Sequence, residues 1–347
     1  MKRKGTLWLI ILIPLLSVII VSIIMITNSC KKEFLLPTVG TVQISNVTET
    51  SFRVQTEIIS GGGDEVSQKG VCWSTTPDPT VTGDKTIDGP GAGTFLTNVT
   101  GLSPSTYYYI RAYATNSEGT GYGESVTVNT WSGTVTDIDN NFYYTIIIGS
   151  QEWMGVNLRT TRLNDGNDLE LISNDTSIHT NTPGYRFCHP VDAGGVLLVD
   201  TTIYGAIYNG YAVMSDKLCP KGWRVPSYDD WNTLINYLGD YRVAGGKMKE
   251  TGTAHWNSPN TDATNESGFT AVPAGRFGRY SGGCYGDGNG CSESGYAGYW
   301  WSSSQNIKDF REDTVLYVAV ISYDSAGVYP GSGFPYDGRS VRCIKDQ

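Results

Sequence analysis

Gly101-Leu-Ser-Pro-Ser-Thr-Tyr-Tyr-Tyr-Ile-Arg-Ala-Tyr-Ala-Thr-Asn116 is the stretch on which the fold of the first half of the chain turns. Gly101 to Ser105 reads as a turn, with Pro104 fixing one backbone angle, and from Tyr107 onward aromatic and β-branched residues alternate as they do along a strand. With a period of two, Tyr108, Ile110 and Ala112 share the core face, and Tyr109, Arg111 and Tyr113 share the other. Residues 41–44, 51–56, 68–73, 93–96 and 125–130 are further short alternating segments separated by turn residues. Their number and spacing describe a β-sandwich over residues 36–131.

Leu102, Pro104, Thr106 and Tyr108 fall on a pattern that resembles the Leu-x-Pro-x-Thr-x-Tyr corner of fibronectin type III domains. The resemblance implies that Tyr108 buries its ring and returns its hydroxyl to nearby backbone. No cluster in this segment suits chemistry, so the sandwich is expected to act as a spacer.

At the N-terminus a basic head, Lys2-Arg3-Lys4, precedes an apolar run from Leu7 to Ile26 and then Thr27-Asn28-Ser29-Cys30. That order is a secretory signal. It resembles the signals of bacterial lipoproteins, which implies removal of residues 1–29, acylation of Cys30, and residues 30–35 as a tether. The protein is then extracytoplasmic and lipid-anchored to the outer membrane, with its periplasmic or surface face left open. An apolar run of about 20 residues can also span a bilayer, so an uncleaved helix is the competing reading. Pro14, Ser17 and Ser22 within the run argue against it. Removing residues 1–29 takes away three positive charges and no negative ones, leaving 22 Lys+Arg against 34 Asp+Glu, a formal net charge of −12. Such a surface excludes nucleic acid as an expected partner.

Seven cysteines in an oxidising compartment call for a disulfide reading. With Cys30 lipidated and Cys72 expected as a small buried hydrophobe, Cys284 and Cys291 bracket a glycine-rich loop that they can close. Cys219 and Cys343 would tie the start of one element to the far end of the chain, which leaves Cys188 odd.

After Trp131 the texture changes. Residues 134–149 read as a β-hairpin turning at Asp139-Asn-Asn141, and residues 151–158 as a further strand or tight turn. Residues 226–238 form the clearest helix: Ser227 can cap it, Asp230 occupies the capping-box position, and Trp231, Leu234, Ile235 and Leu238 share a face. A second short helix is expected near residues 243–250. Eight segments occur in order: Thr134-Val-Thr-Asp-Ile-Asp, Trp153-Met-Gly-Val-Asn-Leu, Tyr204-Gly-Ala-Ile-Tyr-Asn, Leu218-Cys-Pro-Lys-Gly-Trp-Arg-Val-Pro-Ser, Thr253-Ala-His-Trp-Asn, Thr264-Asn-Glu-Ser-Gly-Phe, Tyr299-Trp-Trp-Ser-Ser and Ser340-Val-Arg-Cys. Together they resemble the Fibrobacter succinogenes major paralogous domain, here over residues 132–347. The resemblance implies a C-type-lectin-like α+β fold and no assigned catalytic activity; Gly210 stands where a tryptophan is usual. The expected fold class is therefore mainly β with α+β, a fibronectin type III-like sandwich followed by a C-type-lectin-like domain.

The Glu-Pro-Asn, Gln-Pro-Asp and Trp-Asn-Asp signatures of calcium-dependent sugar binding are absent. Asp262, Asn265 and Glu266 can offer oxygen ligands but read more simply as a solvated turn, and no metal or cofactor is expected. His179, His189 and His255 lack metal-ligand spacing, and the chain is not expected to be an enzyme. Rigid aromatic faces among glycines suit the stacking of sugar rings. The candidate ligand-binding residues are accordingly Tyr280, Tyr285, Asp287, Asn289, Tyr296, Tyr299 and Trp301, with one of Trp300 and Trp301 in the core. Trp223, Trp231 and Trp256 are expected in the core. The expected partner is a polysaccharide, or alternatively a surface protein in an adhesin-type contact.

Overall fold

In a computed structural model the chain is described at residues 34–172, 181–187, 200–278, 291–307 and 314–347. The first domain holds β1 (Thr38–Val39), β2 (Gln43–Ser45), β3 (Ser51–Ser60), β4 (Gln68–Ser74), β5 (Asp84–Lys85), β6 (Gly93–Thr100), β7 (Tyr107–Asn116), β8 (Gly119–Tyr122) and β9 (Val126–Asn129). They form two antiparallel sheets. In one, β3 lies between β6 and the successive short strands β1 and β2; in the other, β7 lies between β4 and the successive β8 and β9. Phe52, Val54, Val71, Val99, Tyr108, Ile110 and Ala112 fill the space between them. The Tyr108 hydroxyl accepts the Ser103 N–H at 3.0 Å, closing the corner as its sequence implies.

Tyr113 lies on the opposite face of β7 yet is fully buried. The chain beyond β5 covers that face, and the Tyr113 hydroxyl donates to Thr86 O at 2.7 Å. Cys72 is a free, buried thiol.

The second domain holds β10 (Gly133–Thr136), β11 (Phe142–Ile148), β12 (Gln151–Met154), β13 (Glu170–Leu171), β14 (Gly184–Arg186), β15 (Ile207–Asn209), β16 (Trp223–Arg224), β17 (Ala297–Ile307), β18 (Thr314–Ser322), β19 (Val328–Gly333), β20 (Gly338–Ser340) and β21 (Ile344–Lys345). Among the described residues four helices accompany them: α1 (Thr201–Tyr204), α2 (Gly210–Met214), α3 (Tyr228–Tyr237) and α4 (Ala244–Met248). A five-stranded sheet runs β10-β11-β12-β21-β16 and a seven-stranded sheet β13-β14-β15-β20-β17-β18-β19. The whole is mainly β with few helices. The β10–β11 hairpin, α3 and α4 fall where the sequence places them.

Helix α3 begins at a capping box. Ser227 Oγ accepts the Asp230 N–H at 3.1 Å, and the Asp230 carboxylate accepts the Ser227 N–H at 2.7 Å. These bonds satisfy donors that the first turn would otherwise leave open. Arg224 at the end of β16 pairs with the same carboxylate.

Two apolar clusters lie on the two faces of β17. Trp301 belongs to one, with Tyr208, Leu316, Val341 and the Cys219–Cys343 disulfide. Trp300 belongs to the other, with Trp153, Trp231, Phe269 and Ile344. The Cys219–Cys343 pairing matches the expectation, with Cα atoms 6.0 Å apart. Cys291 is also disulfide-bonded; Cys284, its expected partner, lies outside the described residues, as does Cys188.

Five of the eight sequence segments meet in one buried network centred on Arg342 and Asn157. Arg342 is fully buried; its Nε and Nη2 donate to Asn157 Oδ1 at 3.1 and 2.8 Å, and its Nη1 donates to Met154 O and Phe269 O. The Phe269 ring lies 4.2 Å from the guanidinium carbon. Asn157 also accepts the Trp300 indole N–H at 2.8 Å and donates to Tyr204 O at 3.0 Å. A buried cation is costly unless its donors are satisfied, and here they are satisfied by neutral oxygens. Desolvation pulls its pKa down to about 9.

Gly210 has a packing reason. A Cβ there would lie 2.7 Å from Pro335 Cα, and the Gly210 N–H donates to Pro335 O at 2.7 Å. The space a tryptophan would need is taken by the loop between β19 and β20.

Candidate functional site

Tyr280, Tyr285, Asp287 and Asn289 lie outside the described residues. Trp301, expected as a ligand platform, is instead a core residue. It is fully buried, and its indole N–H donates to Tyr208 O at 2.7 Å. Alternation alone puts one of two adjacent side chains outward only where a sheet is open on one side, and β17 is covered on both. Trp231 and Trp256 are buried and Trp223 is half-buried.

Tyr299 is half-buried between two guanidiniums, with Arg276 4.9 Å and Arg339 5.5 Å from its ring centroid. Its hydroxyl donates to Glu293, and burial pushes its pKa up to about 12. Tyr296 is exposed and meets Tyr323 edge to face. The turn holding Asp262, Asn265 and Glu266 is stabilised within the chain: Asn265 Oδ1 accepts the Thr270 N–H at 2.8 Å, and Glu266 pairs with Lys247 at 2.8 Å. Among the described residues no group of three or more His, Cys, Asp or Glu can hold a metal ion.

The arrangement best suited to a ligand lies elsewhere, in a groove of about 370 Å³ between α3 and the β18–β19 ribbon. Along α3, Tyr228, Asn232 and Asn236 recur every fourth residue and so stand in one row. Trp231 and Ile235 on the helix and Val318 and Ala319 on β18 give it an apolar floor. Tyr317, Tyr329 and Tyr241 complete the walls. Tyr228, Tyr241 and Tyr329 are 38, 53 and 44% exposed, which leaves large ring area open to solvent.

Hydrogen bonds fix these walls. Tyr241 O accepts the Val328 N–H at 2.7 Å, joining the loop after α3 to β19. The Tyr329 hydroxyl and Ser325 Oγ are 2.9 Å apart, and the Tyr228 and Tyr317 rings are 4.6 Å apart. At the end of the row, Asp240 accepts from Arg242 Nη2 at 2.8 Å, and this bond holds its carboxyl below the usual carboxylate range. Rings held in place take the C–H face of a sugar at little entropic cost, and primary amides donate to and accept from hydroxyls. The Tyr-Asn-Asn row is visible in the sequence once α3 is drawn. The opposing tyrosines of β18 and β19 are distant in sequence and nothing local announces them.

Among solved structures, the sixth fibronectin type III domain of human fibronectin type III domain containing protein 3 is similar at 25% identity, covering 30% of this chain and 91% of that one, with a TM-score of 0.23. The FN3 domain of human collagen XX is similar at 20% identity over 29% of this chain and 99% of that one, TM-score 0.22. Domains A168-A170 of titin share 21% identity over 28% of this chain, TM-score 0.23; the chain spans only 32% of that fragment. No curated protein matches the sequence. The profile of the Fibrobacter succinogenes major domain matches residues 146–345, which include α3, β18, β19 and the Arg342 network. That match takes in more than half of the chain, and the protein belongs to the Fibrobacter succinogenes major domain family.

Proposed function

We propose that this protein is a lipid-anchored, extracytoplasmic binding protein whose C-terminal domain, C-type-lectin-like in fold, holds glycan without catalysis. A fibronectin type III-like sandwich spaces that domain from the outer membrane. The observation that carries the reading is the groove beside α3, where tyrosine rings, two amides and a carboxylate surround an apolar floor. The absence of the calcium-lectin tripeptides from the sequence makes the expected binding calcium-independent. Anchoring rests on Lys2-Arg3-Lys4, the apolar run and Ser29-Cys30.

Two experiments test this. Retention of the purified protein on soluble and insoluble polysaccharides, with and without calcium, is expected for at least one polymer and is expected to be lost in a Tyr241→Ala/Tyr329→Ala variant. Failure to bind any polysaccharide would remove the glycan reading. Incorporation of labelled fatty acid is expected in the wild type and not in Cys30→Ser; equal labelling would remove the anchor.

A further inference from the structure

The polar groups lining the groove beside α3 are of few kinds. Among the described residues, Asn232 and Asn236 bring amides, Ser302 and the tyrosines bring hydroxyls, Asp240 brings the one carboxylate, and no lysine or arginine lines the groove. The adjacent cation, Arg242, is largely exposed and pairs with that carboxylate. Its Nε and Nη2 both reach the Asp240 carboxylate, at 3.3 and 2.8 Å from Oδ2, and its own N–H donates to Asp240 Oδ1 at 2.7 Å. Its guanidinium also sits 5.7 Å from the Tyr241 ring centroid.

A uronate, sulfate or phosphate entering this groove would give up water and meet a carboxylate, with no cation beside it among the described lining residues and the nearby Arg242 already paired with that carboxylate. Burying a charge without a partner is strongly unfavourable, whereas neutral hydroxyls exchange water for amide and phenol hydrogen bonds at little net cost. The chain's formal net charge of −9 adds long-range repulsion of polyanions. Amides four residues apart on one helix face present donors and acceptors in a row to successive hydroxyls, while the rings of Tyr228, Tyr241 and Tyr329 flank an apolar floor that fits a C–H face.

We infer that this groove selects electrically neutral glycan chains and that Asp240 is the residue that turns anionic ones away. The inference rests on the glycan-binding reading and specifies its ligand class.

The test uses the purified full chain against neutral polymers (xyloglucan, galactomannan, arabinoxylan and mixed-linkage β-glucan) and acidic ones (polygalacturonate, alginate and chondroitin sulfate), at low and moderate salt. Binding is expected to at least one neutral polymer and to no acidic one. Tyr329→Ala and Asn236→Ala are each expected to weaken neutral binding by about tenfold or more. Asp240→Asn keeps an acceptor for the Arg242 N–H and frees the guanidinium, so it is expected to fold as the wild type does and to gain binding to polygalacturonate. Wild-type binding to an acidic polymer that is lost in Tyr329→Ala would overturn neutral selection while leaving the glycan reading intact. A folded Asp240→Asn variant with no gain would overturn the role given to Asp240. Neutral binding unaffected by either groove variant would place the site elsewhere, and no binding to any polymer would sink the glycan reading itself.

Discussion

Trp131 lies flat against Tyr144, with ring centroids 4.5 Å apart and planes 7° from parallel. Its backbone belongs to the first domain, where its N–H donates to Thr48 O at 3.1 Å and its carbonyl accepts the Ser105 N–H at 2.9 Å. One residue thus commits its main chain to the sandwich and its side chain to β11 of the next domain. The Tyr144 ring in turn lies over Gly155, where a Cβ would fall 1.7 Å from ring carbon, so only glycine admits this stack. Both rings line a cavity of about 590 Å³ between the domains.

Replacing Trp131 by Ala is therefore expected to loosen the junction more than it unfolds either domain. Small-angle scattering should show a larger maximum dimension, and proteases should cut between residues 129 and 134. The direct loss from the stack is about 1 kcal/mol. An unchanged scattering profile would show that the stack does not hold the domains together.

Arg342→Lys is expected to destabilise the second domain by about 3 kcal/mol or more, because one ammonium cannot reach Asn157, Met154 and Phe269 together. Chemical denaturation followed by tryptophan fluorescence measures this. The pKa of about 9 keeps Arg342 charged near neutrality, so the loss should not vary between pH 6 and 7.5. A loss below about 1 kcal/mol would mean that the network contributes little.

His255 Nδ1 lies 2.7 Å from Glu250 Oε2, and this hydrogen bond raises the imidazole pKa. A folded-state pKa above the unfolded value of about 6.5 stabilises fully below that pH and ceases to do so as pH rises through the folded pKa. Both side chains are about a quarter exposed, so solvent screening keeps the effect to about 1 kcal/mol or less. Wild type minus His255→Gln stability, measured by denaturation from pH 5.5 to 8.5, should therefore shrink with increasing pH. A flat or rising difference would contradict the pairing.

The Cys219–Cys343 bridge closes a separation of 124 residues. The chain-entropy model gives a loop of that size about 5 kcal/mol. The Cys219→Ala/Cys343→Ala variant should lose most of that from the second domain while the sandwich unfolds as before, splitting the urea transition. A single unshifted transition would assign the stability to packing alone.

Local signals make α3 and the corner readable, whereas the long strands β17 and β18 and the short helices α1 and α2 carry no such signal. Ser227 and Asp230 announce α3 three residues apart, and Leu102, Pro104 and Tyr108 announce the corner within seven. The Cys219–Cys343 pair was legible from position. Burial on the far side of a strand is decided by layers that local sequence does not carry. Trp301 and Tyr113 read as outward by alternation, but a second layer covers each face, from the β15 side for one and residue 86 for the other. The groove is illegible in the sequence for the same reason, since Tyr228 and Tyr329 stand about a hundred residues apart and only tertiary packing brings them opposite.

The convergence on Arg342 also sets the order of assembly. β21 sits between β12 and β16, Cys343 precedes it, and Arg342 ties together residues contributed from position 154 onward. A chain delivered N-terminus first can complete its sandwich early, but its second domain lacks its central cation, its bridge and an inner strand of one sheet until residue 345 has emerged. The domain therefore closes after the sandwich, as a unit, and a truncation removing residues 342–345 is expected to leave an open core instead of a smaller domain.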